Sequence, residues 1–147
     1  MLIESESAMH QYGQDFAKQL TLPAVIELIG DVGVGKTTFT QGLADGLGIK
    51  EPITSPSFTL SKRYGFMPDN SVVKNATPCE LVHYDFYRLD DPGIMRDELA
   101  ETMLQPDTVT VIEWGGEVAD LLPKARHRIT IRLNQAGARE VTHEALS

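Results

Sequence analysis

The chain predicts an α/β fold: a mostly parallel sheet with flanking helices and antiparallel edge strands. Two observations carry this prediction. Ala24 to Ile29, Glu80 to Tyr87 and Val109 to Trp114 are short apolar runs with the branched and aromatic content of buried strands. Between the first run and a helical segment, Gly30 to Thr37 reads G-D-V-G-V-G-K-T. That string fits the G-x-x-x-x-G-K-[ST] pattern of a phosphate-binding P-loop, and strand, loop, helix is the order the pattern requires. The sheet is therefore expected to be of the P-loop NTPase type.

The elements follow in order. Ser7 to Leu20 predicts a first helix with Met9, Tyr12, Phe16 and Leu20 on one face, broken by Thr21-Leu22-Pro23. The Ala24 strand, the loop and a helix beginning at Thr38 come next, and Gly46 and Gly48 end that helix. Pro52 and Pro56 bracket an extended loop. Phe58 to Tyr64 alternates as a strand, and Gly65 to Pro78 reads as an exposed hairpin connection or insertion. After the Glu80 strand, Asp91-Pro92-Gly93 predicts a turn and Arg96 to Leu104 a short helix. The Val109 strand follows, then a short helical or irregular piece ending at Leu121 to Pro123. Arg128 to Leu133 and Arg139 to Glu144 predict a terminal pair of strands joined near Gly137.

Composition bounds the function. At 147 residues the chain is expected to be one domain with room for a core. No apolar run approaches the roughly 18 residues that suggest a membrane span. The acidic start, Met1-Leu2-Ile3-Glu4-Ser5-Glu6, lacks the shape of a signal peptide, so a cytoplasmic setting is expected. Cys79 is the only cysteine, which excludes an internal disulfide and a cysteine-based zinc site. A net charge of −8 argues against a protein that grips nucleic acid by itself.

The loop carries its chemistry locally. Gly30, Gly33 and Gly35 let the backbone turn, so the amides of Asp31, Val32, Gly33, Val34, Gly35, Lys36 and Thr37 can face a polyphosphate. The helix N-terminus adds its dipole. Lys36 places an ammonium on the β- and γ-phosphates, and the Thr37 hydroxyl suits Mg²⁺. The bland alternative is a glycine-rich turn that binds nothing; motif and context together disfavour it.

Such a loop also needs an acid at a strand end to hold Mg²⁺. Leu81-Val82-His83-Tyr84-Asp85 and Val109-Thr110-Val111-Ile112-Glu113 are apolar runs that end in one. Asp85 and Glu113 are the candidates, against ordinary solvated acids where strands surface. The Thr54, Ser55 and Ser57 hydroxyls, beside Pro56, can donate to phosphate or water; a proline-stiffened turn is the equal alternative. Trp114 can stack on a base or partner, or cap the core. His83 shares a strand face with Asp85 and reads first as a satisfied core histidine. Arg88 fits either a phosphate contact or a structural ion pair. Arg126-His127-Arg128 reads as solvated surface.

The run G-D-V-G-V-G-K-T-T-F-T-Q-G-L at 30–43, T-S-P-S-F-T-L at 54–60, H-Y-D-F-Y-R-L at 83–89 and I-E-W at 112–114, in that order, resembles the TsaE family, once called YjeE. The resemblance spans about residues 7 to 144. It implies a small ATPase of bacterial tRNA threonylcarbamoyladenosine biosynthesis. Members bind ATP with Mg²⁺, hydrolyse it weakly alone and act with a TsaB–TsaD complex, so tRNA is met only through partners. By position it implies that Lys36 and Thr37 keep their roles and that Thr38 touches the α-phosphate. Thr54 matches a switch-like threonine, Asp85 the strand-end acid, and Glu113-Trp114 a paired acid and indole. Met9 stands where the family often has a threonine near the nucleotide. Arg139, after Gly137, resembles a family feature near the adenine. Gly115-Gly116-Glu117 departs from the family's usual proline or alanine and acid after Glu-Trp.

The expected chemistry is metal-assisted ATP hydrolysis, with Lys36 holding phosphate and Glu113 or Thr54 orienting water. Two other classes share the loop. A small-molecule kinase usually needs a lid with paired arginines, which is not found after Leu89. A GTP-binding switch normally carries N-K-x-D, which does not occur.

Overall fold

The structure is a computed structural model. It describes residues 1–31, 33–54, 61–67, 78–86, 93 and 95–147. Its strands are β1 (Leu2–Ile3), β2 (Ala24–Ile29), β3 (Ser61–Phe66), β4 (Cys79–Asp85), β5 (Thr108–Glu113), β6 (Arg126–Leu133) and β7 (Arg139–Leu146). Its helices are α1 (Glu6–Ala17), α2 (Lys36–Leu47) and α3 (Met95–Leu104), with a 3₁₀ segment at Gly115–Leu121. Among the described residues, one seven-stranded sheet runs in the order β1-β7-β6-β2-β5-β4-β3. The central strands β6, β2, β5 and β4 are parallel. β3 pairs antiparallel at one edge, and β7 and β1 at the other. The predicted class is the observed one, with antiparallel additions at both edges. No helix among the described residues is long and apolar enough to cross a membrane.

Alternation along the strands divides the sheet into two faces. One bears Ile26, Leu28, Leu81, Val109, Val111, Ile129 and Ile131 and packs beneath α1 and α2. The other bears Val25, Val82, Tyr84 and Ile112 and packs on Leu99 of α3 and on Val118 and Leu122. Backbone contact brings α1 and α2 together. A Cβ on Gly42 would stand 2.0 Å from the His10 carbonyl oxygen, and one on Gly13 would stand 2.4 Å from that of Phe39. Glycine is required at this crossing for closeness.

Several boundaries differ from the prediction. β3 runs to Phe66, so Gly65 and Phe66 belong to the strand and not to the connection after it. Tyr64 and Phe66 are both buried, and Gly65 pairs with Glu80 between them. A glycine there signals no turn. Residues 58–60 of the expected strand lie outside the described residues, as do 68–77, Tyr87, Arg88, Asp91 and Pro92. β5 stops at Glu113 because Trp114 turns into the left-handed region, with φ 56°. β6 starts at Arg126, where Arg126 and Arg128 both donate to Glu27, at 3.2 and 3.0 Å. This tripeptide is therefore not plain solvated surface. His127 lies against Phe16 and stacks on His143, its Nδ1 3.0 Å from the His143 Nε2. Burial lowers the pKa of both imidazoles.

Candidate functional site

The loop between β2 and α2 sits at the carboxyl edge of the parallel strands, where open α/β sheets gather ligands. Gly33 and Gly35 take φ of 83° and 113°. L side chains rarely adopt that region, so these glycines set the turn. Gly35 is the N-cap of α2 and gives no side-chain cap, leaving the helix N-terminus to backbone amides alone. The Val34 amide donates to the Asp31 carbonyl at 3.3 Å, closing the loop on itself.

Lys36, the first residue of α2, is only 6% exposed. Its Nζ donates to the Gly30 carbonyl at 2.7 Å, lies 3.8 Å from Glu113 Oε1 and stands 4.0 Å over the Trp114 ring. Burial lowers its pKa; the charges of Glu113, Asp85 and Asp31 oppose that shift. A buried ammonium is costly without such partners. Glu113 is 3% exposed, and its Oε2 lies 2.5 Å from the His83 Nε2.

These groups surround a pocket of about 660 Å³, within the range of small-molecule sites. Gly33, Val34, Gly35, Lys36, Thr37 and Thr38 form its floor, and Asp85, Glu113 and Trp114 one wall. Register explains the acids. Asp85 and Glu113 are Cα partners in the β4–β5 ladder, so both carboxylates emerge at one level on one face. The opposite wall is Met9, Arg139 and the chain entering α1, Glu4, Ser5 and Glu6. Arg139 donates to the Gly33 and Val34 carbonyls, at 3.4 Å each, and so ties β7 to the loop. Met9 is 1% exposed and lies 3.3 Å from where a Gly35 Cβ would stand.

The structure thus brings together Gly33 to Thr38, Met9, Asp85, Glu113 and Arg139. It does not bring Asp31 or Thr54 to the lining. Asp31 faces a neighbouring hollow with Trp114 and Arg132. The Thr54 hydroxyl accepts from Lys62, and its amide donates to the Tyr64 hydroxyl at 3.5 Å. Val32 and Ser55 to Leu60 lie outside the described residues. Glu4, Ser5 and Glu6 were missed as lining residues. They precede a helix predicted to start at Ser7, and the β1–β7 pairing together with the packing of α1 on α2 carries them to the site. The link from His83 to Glu113 was missed too, although the same-face spacing of His83 and Asp85 pointed toward it.

The fit of a nucleotide and its metal can be tested on these donors. The cradle has positive-φ glycines, an uncapped helix start and one buried ammonium, all suited to phosphate. Thr37, Asp85 and Glu113 offer hard oxygens, suited to Mg²⁺. Among the described residues no group of three or more His, Cys, Asp or Glu forms a closed cage. Mg²⁺ is ordinarily held through one or two carboxylates with phosphates and waters, so the donor set fits.

Fold and pocket define a P-loop protein. The chain superposes on the crystal structure of YdiB from Bacillus subtilis with a TM-score of 0.76, at 28% identity, covering 100% of this chain and 84% of that one. The family model described as "Threonylcarbamoyl adenosine biosynthesis protein TsaE" matches residues 3–141, and the chain belongs to the TsaE family. Proteins named tRNA threonylcarbamoyladenosine biosynthesis protein TsaE are similar along most of its length. The one from Treponema pallidum is 37% identical over 132 residues, 90% of each chain. The one from Synechocystis is 44% identical over 120 residues, 78% of this chain and 69% of that one. The one from Streptomyces coelicolor is 34% identical over 139 residues, 92% and 86%.

Proposed function

We propose that this chain binds ATP with Mg²⁺ and hydrolyses it slowly, acting with TsaB- and TsaD-like proteins in forming threonylcarbamoyladenosine in tRNA. The setting is cytoplasmic, and tRNA is reached through the partners. The observation that carries the chemistry is the buried Lys36 ammonium facing two register-matched carboxylates across one pocket. Family membership supports the pathway. The net charge of −8 supports indirect contact with tRNA.

Each residue has a task. The amides of Gly33 and of the first α2 residues cradle the phosphates, and Thr38 reaches the α-phosphate. The Lys36 ammonium leaves the Gly30 carbonyl for the β- and γ-phosphates. Thr37 and Asp85 hold Mg²⁺, with Glu113 facing it directly or through water. The ion, when bound, neutralises charge developing on the phosphate oxygens. Glu113 Oε1 orients the attacking water, and Thr54, which lies outside the lining with its hydroxyl accepting from Lys62, would have to leave Lys62 to respond to the γ-phosphate. Met9 and Arg139 border the adenine. Positioning and charge stabilisation are the protein's whole contribution, as phosphoryl transfer allows.

Calorimetric ATP binding with and without Mg²⁺ tests the site, using wild type and Asp85→Asn. Wild type should bind more tightly with Mg²⁺, and the variant should lose most of that gain while remaining folded. Phosphate release, measured alone and with TsaB- and TsaD-like proteins, should rise with the partners. Equal Mg²⁺ dependence in both proteins would reject the metal assignment; unchanged turnover with partners would reject the partnership.

A further inference from the structure

We infer that His83 is a positioning residue for Glu113, a buried donor that fixes one carboxylate oxygen so that the other faces the nucleotide pocket. The inference rests on the function proposed above and adds a residue to it.

His83 lies mid-strand in β4, with no exposed surface. In the β4–β5 ladder it stands opposite Val111, and Glu113 stands opposite Asp85. All of these residues face α1 and α2. The imidazole therefore reaches along a diagonal, one pleat toward the carboxyl edge, and meets Glu113 Oε2 at 2.5 Å. A carboxylate oxygen accepts, and toward such an acceptor the imidazole donates through Nε2–H. The other oxygen, Oε1, is the one that lies 3.8 Å from Lys36 Nζ. Glu113 thus has one oxygen held from below and one directed at the site.

The rest of the imidazole explains why this is more than packing. Its Nδ1 is buried with no hydrogen-bond partner among the described residues. Val111, Leu81 and Ile26 fill the same face with apolar atoms alone. An aliphatic residue at position 83 would fill the space and bury no unpaired nitrogen. Among the described residues, the contact with Glu113 is the only hydrogen bond the imidazole makes. Groups behind a metal-facing ligand commonly act this way, and losing one typically costs about 10- to 100-fold in metal affinity or activity.

The test separates the donor from the space it fills. In His83→Gln the amide nitrogen can take the place of Nε2. In His83→Asn the donor is one bond too short, and in His83→Leu it is gone. Full-length variants are compared by melting temperature, by ATP affinity without Mg²⁺, by the Mg²⁺ concentration that half-restores tight ATP binding, and by phosphate release with TsaB- and TsaD-like proteins. H83L and H83N should keep the Mg²⁺-free affinity within about threefold. Their Mg²⁺ midpoint should rise, or their turnover fall, by roughly 10-fold or more. H83Q should recover to within about threefold of wild type. If H83L does not fold, H83N against H83Q decides. Wild-type behaviour in H83L or H83N overturns the inference, and so does an H83Q variant that folds yet is as defective as H83N. Wild-type protein with neither Mg²⁺-dependent ATP binding nor turnover would instead refute the proposed function, and the inference with it.

Discussion

The two faces of the central sheet bury polar groups in different ways. On the face beneath α3, Tyr84 is fully buried and its hydroxyl meets Thr102 Oγ1 at 2.9 Å and Glu98 Oε1 at 3.3 Å. Arg63 donates to the same Glu98 and Thr102, at 3.3 and 3.0 Å. Thr108 Oγ1 donates to the Gln105 carbonyl at 2.8 Å. Thr110 is the exception, with a buried hydroxyl that has no partner among the described residues. On the face beneath α1 and α2, Lys36 and His83 are buried against Glu113, and Lys36 and Glu113 line an open pocket. One face satisfies its polar groups internally, and the other directs them at a space. On the proposed function, the difference separates structure on one side from chemistry on the other.

The largest effect should come from the chemical face. Lys36→Ala removes the ammonium at the centre of the site, where one such contact is worth about 3–4 kcal/mol in the transition state. ATP turnover should fall at least roughly 100-fold in protein that circular dichroism shows to be folded. Unchanged turnover in the folded variant would erase the distinction between the faces.

A stability effect should come from the packing above that face. Gly42→Ala places a methyl 2.0 Å from the His10 carbonyl oxygen, so α1 and α2 must separate. Overpacking of this kind costs about 2 kcal/mol, and the melting temperature should drop by roughly 6 °C. Thermal unfolding checks it, and an unchanged midpoint would show that the helices give way freely.

The smallest effect belongs to the structural face. Tyr84→Phe deletes a hydroxyl whose partner Thr102 keeps its bond from Arg63, so stability should fall by about 1 kcal/mol and ATP affinity should hold. Burial pushes the Tyr84 pKa up to about 12 from 10. Between those values the unfolded phenol has lost its proton and the folded one keeps it. Its contribution is therefore full below pH 10 and is lost as pH rises toward 12. Denaturant titrations should show a steeper alkaline loss in wild type than in Y84F. Matching slopes would mean that Tyr84 is not the source.

Much of this contrast was legible in the residues. Gly30 to Thr37 is a local device whose shape depends on neighbours in sequence, so its glycines, Lys36 and Thr37 could be read directly. Asp85 and Glu113 could be placed because each ends an apolar run, and parallel register then set them side by side. The rest depends on contacts distant in sequence. Ser5 and Glu6 reach the pocket because β1 pairs with β7, more than 130 residues away, and because α1 packs on α2. Glu27 looks like a charge in a buried strand until Arg126 and Arg128 arrive from β6. The hydrogen bond between His83 and Glu113 needs the diagonal of a ladder, which sequence spacing in one strand does not show.

Trp114 carries one more consequence. It is the single tryptophan of the chain, and its ring lies 4.0 Å under the Lys36 ammonium. A full positive charge that close perturbs the excited state of an indole, so emission from this protein depends on where one lysine points. Phosphates that draw the ammonium off the ring remove that perturbation. On the proposed function, this single tryptophan would report nucleotide arrival without a label and free of background from any other tryptophan.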